Sequence, residues 1–214
     1  MLGIPPAQLI ARIIVLVIAF TIHEFAHAWT ANQFGDDTAR LNGRLTLNPL
    51  AHLDPIGSLL LLVAGFGWAK PVPVNPYALE RRSPLALMWV SLAGPFSNFL
   101  MAIVAAIPLR MGWVQYTGFT QNGFPSLFEL LFFLVQINLV LMLFNLIPIA
   151  PLDGSKIAVA VLPDSWGRAV ERFSVYGPIL LMALIFIGPR IGIDPIGWIM
   201  NPVMTNLLKL LIGA

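Results

Sequence analysis

The chain has 214 residues, of which 58% are hydrophobic and 10% charged, with a mean hydropathy of +0.84 and a net charge of +2. A soluble domain carries about a quarter charged residues, so this composition excludes a surface that faces water all round and puts the chain in lipid. The small charge gives no argument for nucleic acid as a partner, and the absence of cysteine excludes disulfides and thiolate chemistry.

The first ten residues, MLGIPPAQLI, lack a basic n-region, and no small-residue cleavage site follows the apolar run at 8–32. That run is therefore expected to be a retained helix rather than a signal peptide. Further apolar runs follow at 84–109 and 127–149, with two weaker ones at 175–187 and 196–212. The first three are long enough to span about 30 Å of hydrocarbon, and the last two are marginal. Between the first two, residues 41–76 are rich in Pro and Gly, and the apolar run from 56 is too interrupted to span. Gly65 and Gly67 predict a β-hairpin or re-entrant segment over 58–74. The expected fold is an all-α polytopic membrane protein of about five to six helices carrying that segment. It forms a single domain over 1–214, with a catalytic core at about 8–155.

Basic residues set the orientation. Arg40, Arg44, Lys70, Arg81 and Arg82 lie between the first two long runs, and Lys156, Arg168 and Arg172 follow the third. Arg110 is alone in the loop at 110–126, and Arg190 is alone after the fourth run. This alternation predicts an outside N-terminus, with both basic segments cytoplasmic.

The first run carries His-Glu-Phe-Ala-His at 23–27. Residues four apart share a helical face, so His23 and His27 can chelate Zn²⁺, and Glu24 can serve as general base for the attacking water. Ionisable residues in a spanning helix are expensive and mark function by default. Here three stand within five positions, including two of the three histidines in the chain.

A zinc site needs a third protein ligand. Asp153, in Pro-Leu-Asp-Gly just past the third run, lies among apolar residues on the same membrane face as the pentad. As a bland turn or helix cap it would need no such setting. As a ligand it would help neutralise the cation in a low-dielectric site. His52 could ligate, hydrogen-bond a ligand from behind, or satisfy a loop carbonyl, and a lone loop histidine favours the last. Asn98 and Asn145 are single amides in apolar helices. They could join helices or donate to substrate or a developing oxyanion, and spacing does not separate these roles. Asn138 reads as structural.

Together these residues resemble the site-2 protease family of intramembrane zinc metalloproteases. His-Glu-Phe-Ala-His, Asn145 with Pro148, the Leu-Asp-Gly at 152–154, and Ala-Gly-Pro-Phe-Ser-Asn at 93–98 follow the family's order. The segments 48–57 and 66–76 are similar to its compact branch without PDZ or CBS domains. Many relatives place a further helix before the pentad, which here lies on the first.

The resemblance implies one zinc per chain on His23, His27 and Asp153, with Glu24 activating water and Asn145 assisting near the scissile carbonyl. It implies membrane-protein substrates with a transmembrane helix, a prokaryotic cell membrane, and an active site towards the cytoplasm. A membrane metal transporter and an inactive homologue that only binds membrane segments are the alternative readings. Substrate identity and oligomeric state are not legible in the sequence.

Overall fold

The computed structural model describes residues 4–57, 60, 67–116 and 118–213. Helix α1 spans Pro6–Gln33 and α2 Thr38–Leu41; α3 is Pro76–Arg82, α4 Ala86–Arg110 and α5 Leu127–Asn145. Four more follow: α6 (Asp153–Val161), α7 (Asp164–Phe173), α8 (Gly177–Phe186) and α9 (Pro195–Ile212). The described residues form helices and loops with no strand. Helices α1, α4 and α5, and the continuous helical run Ser165–Phe186, are long and apolar enough to cross a membrane. The fourth segment thus begins ten residues before the apolar run at 175 that the hydropathy pattern suggested, because α7 leads into α8 through a single 3₁₀ turn at Ser174–Tyr176.

Residues 58, 59 and 61–66 of the expected hairpin at 58–74 lie outside the described residues. The described residues 67–74 form no strand, and an isolated antiparallel bridge joins Leu53 to Ala69. A hydrogen bond from the Lys70 amide to the His52 carbonyl at 2.8 Å helps close the base of the segment.

Helix α1 starts on Pro6, whose missing N–H would have no helical partner there. It stops where Gly35 takes φ 83°, a conformation that disfavours other residues. Its buried face is a run of every fourth residue: Ala7, Ala11, Val15, Ala19, His23, His27, Ala31. Small side chains let membrane helices approach closely, and the two histidines continue that same stripe into the bundle. Helix α4 answers with Ala102, Ala105 and Ala106, packed on Val135 and Leu139 of α5. Met204, Leu207, Leu208 and Leu211 of α9 close the cluster from outside.

Caps fix the helix ends. Ser126 and Glu129 form a reciprocal capping box at the start of α5, and the buried Glu129 also accepts from the amide and hydroxyl of Thr120. Arg110, at the end of α4, donates to the Leu210 carbonyl at 2.8 Å, holding the last turn of α9 beside it.

Candidate metal centre

His23 and His27 project from one face of α1, and Asp153 is the first residue of α6. What brings Asp153 to the histidines is the break after α5. The chain turns at 146–152, and Gly154 presses on the Leu146 backbone so closely that a Cβ there would lie 2.4 Å from its carbonyl. Glycine is required for that approach. The two Nε2 atoms are 3.0 Å apart, and Asp153 Oδ2 is 3.3 Å from His23 Nε2 and 3.2 Å from His27 Nε2. All three residues are buried.

The second nitrogen of each ring identifies the species. His23 Nδ1 lies 2.5 Å from Asn98 Oδ1, and His27 Nδ1 lies 2.7 Å from the Val90 carbonyl. Both partners are acceptors, so both Nδ1 atoms carry the proton and both Nε2 atoms present lone pairs. Asp153 Oδ2, the third atom of the cluster, belongs to a carboxyl group, which accepts when ionised. Two lone pairs and a carboxylate oxygen therefore converge with no donor between them, an arrangement that repels itself unless a cation joins it. Zinc fits. Ligands at about 2.0–2.1 Å in a tetrahedron lie about 3.3–3.4 Å from one another, close to the separations of 3.0–3.3 Å found here. Among the described residues, this is the group of His, Asp and Glu side chains close enough to share an ion.

Helix α4 makes room for the two rings. At Gly94 a Cβ would lie 2.4 Å from His27 Nε2 and 2.6 Å from His23 Cε1. The glycine of Ala-Gly-Pro is thus part of the site, although sequence reasoning used it only as a motif letter.

Glu24 borders the same cavity as the histidines and Asp153, and its Oε2 accepts from the Val72 amide at 3.1 Å. The extended chain around Val72 is held by Arg44, a buried guanidinium that donates to the carbonyls of Lys70 and Pro71. Sequence reasoning used Arg44 only as a topological charge. A cavity of about 550 Å³ opens beside Glu24 and the two histidines, bordered by Val72, Asn145, Lys156 and Leu181. It has the size of a ligand site.

The remaining candidates divide. Asn145 borders the cavity, with its Nδ2 donating to the Leu141 carbonyl at 3.0 Å. Asn98, read from sequence as a possible donor to substrate, is fully buried behind His23, with Oδ1 and Nδ2 engaged by His23 and Asn138. His52 is also buried. Its Nε2 donates to the Thr46 carbonyl at 2.8 Å, and it stands apart from the three-residue cluster.

Comparison with known proteins adds the lineage. The family model described as peptidase family M50 matches residues 112–187, a stretch that holds Asn145 and Asp153 but not the pentad. YwhC of Bacillus subtilis (strain 168), provisionally named a zinc metalloprotease, is 41% identical over 202 residues, which are 92% of this chain and 89% of YwhC. The chain belongs to peptidase family M50. Rip2 of Mycobacterium tuberculosis (strain H37Rv), also provisionally named a zinc metalloprotease, is 30% identical over 88% of this chain and 71% of its own. The zinc metalloprotease MJ0392 of Methanocaldococcus jannaschii is 27% identical over 82% of this chain and 42% of its own length. No solved structure matches the chain.

Proposed function

We infer that this M50 protein is an intramembrane zinc metalloendopeptidase in which His23, His27 and Asp153 hold the metal and Glu24 is the general base. One observation carries the ligand assignment: three potential ligand atoms converge within 3.3 Å, while the other nitrogen of each histidine faces an oxygen acceptor. Zinc, when bound, acts as a Lewis acid that polarises a peptide carbonyl and lowers the pKa of water.

The chain supplies the rest. Glu24 takes a proton from water, and the resulting nucleophile adds to the scissile carbonyl. Glu24 then returns that proton to the departing amine, so the cycle ends with the base ionised. Asn145, at the cavity wall, can donate to the substrate backbone after exchanging its bond with Leu141. The apolar border around Leu181 and Val72 shields the reacting groups from bulk water.

The proposed substrates are membrane proteins presenting a transmembrane helix, and the proposed setting is a prokaryotic cell membrane. The N-terminus is outside, the site lies towards the cytoplasm, and 1–214 acts as one membrane domain.

The test is co-expression with single-pass candidate substrates, comparing wild type with Glu24→Gln. The substitution keeps shape and hydrogen bonding, so zinc should stay while cleavage falls by about 10²–10⁴-fold. Wild-type turnover in the variant would remove Glu24 from the mechanism.

A further inference from the structure

The three helices that cross at the metal centre are joined by amides as well as by packing. Asn138 of α5 donates from Nδ2 to the Leu134 carbonyl at 2.8 Å, one turn earlier on its own helix. Asn98 of α4 donates from Nδ2 to Asn138 Oδ1 at 2.7 Å. His23 of α1 then meets Asn98 Oδ1 at 2.5 Å. Asn98 and Asn138 are both fully buried.

Which end of an amide is oxygen is normally ambiguous, but here the chain of bonds removes the ambiguity. A backbone carbonyl can only accept. Leu134 therefore fixes the orientation of Asn138, Asn138 fixes that of Asn98, and Asn98 can only accept from His23.

We propose that Asn138 and Asn98 form a relay that holds His23 in its Nδ1–H form, making both of them positioning residues for metal capture. The proposal rests on the metal reading above and deepens it.

The alternative shows why a relay is needed. With Nδ1 free, the imidazole would move its proton to Nε2 and donate to Asp153 Oδ2, 3.3 Å away. The empty site would then satisfy itself, and a metal would have to displace that proton. A neutral amide is a weaker director than a carboxylate behind a ligating histidine. It has to be oriented from its far side, and Asn138 does this. The Asn98 motif thus works only in combination with a residue 40 positions away on another helix.

Asn138→Leu keeps volume and suits a lipid-embedded helix. It removes the acceptor for Asn98 Nδ2, so Asn98 is free to turn and present Nδ2 to His23. Asn98→Asp offers an acceptor to His23 in either orientation and needs no partner on α5. The full-length chain in lipid nanodiscs is measured as wild type, Asn138→Leu, and Asn138→Leu combined with Asn98→Asp. Two readouts are taken: zinc affinity by chelator competition, and ring ¹⁵N shifts of the zinc-free protein, whose three histidines keep the spectrum simple.

The relay predicts an Nδ1–H His23 in the wild type and a population of Nε2–H in Asn138→Leu, with zinc affinity falling about 10–100-fold. Adding Asn98→Asp should restore both. A structural role for Asn138 in packing alone would not be rescued from α4. Unchanged His23 shifts in Asn138→Leu, or an affinity loss that Asn98→Asp does not repair, would overturn the relay. Failure of the wild type to bind zinc would sink the metal reading instead, and the shifts would still decide the relay.

Discussion

Gly94 of α4 faces His27 of α1 so closely that a Cβ on it would lie 2.4 Å from Nε2. The nearest atoms belong to two rings, each anchored through its far nitrogen to α4, so neither ring can swing aside without losing a bond. Gly94→Ala should therefore displace the rings and lose zinc, at a stability cost of about 1–3 kcal/mol for overpacking. Ser97→Ala, one turn along α4, should keep the metal. Metal content and thermal unfolding of the two variants check this, and a zinc-replete Gly94→Ala would contradict the packing.

Arg44 acts on the catalytic side of the site. Its guanidinium binds the carbonyls of Lys70 and Pro71, and the next amide, that of Val72, meets Glu24. Hydrogen bonds from a charged group contribute about 1.5–3 kcal/mol. Arg44→Met should loosen this stretch, so hydrogen exchange at Val72 should accelerate and cleavage should fall while zinc is retained. Loss of zinc in that variant would mean that Arg44 supports the ligands rather than the border of the cavity.

Much of the site was legible because its chemistry is dense. Two histidines at helical spacing with a glutamate between them have few other uses in an apolar helix, and the break at Pro148 and Pro151 marked where Asp153 could leave the helix. The supporting residues were hidden for physical reasons. A lone amide such as Asn98 or Asn138 has the same sequence signature whether it glues helices, meets a substrate or orients a ligand. Only the third dimension shows what each end touches. Gly94 and Gly154 matter through the atom they lack, and that can be judged only against a neighbour. In the fold, the three long helices followed directly from hydropathy. The fourth segment did not, since the polar α7 extends it beyond the apolar run.

The bond between Arg110 and Leu210 has a topological consequence. It puts the C-terminal ends of α4 and α9 on one face, the face of the loop at 110–126. Cysteines introduced singly at Tyr116 and Lys209, both exposed, should react with an impermeant thiol reagent from the same side, taken as the outside. One introduced at Arg168 should react only from the other. Labelling of positions 168 and 209 from one side would contradict this arrangement.

The most direct test of the central claim is the metal content of purified wild type, His23→Ala, Asp153→Ala and His52→Ala, measured on the same amount of folded protein. The account predicts about one zinc per wild-type chain, as a single tetrahedral ligand set holds one ion. It predicts loss of that zinc in His23→Ala and Asp153→Ala, and retention in His52→Ala. Zinc retained by Asp153→Ala and lost from His52→Ala would contradict the ligand set on which the proposed function stands.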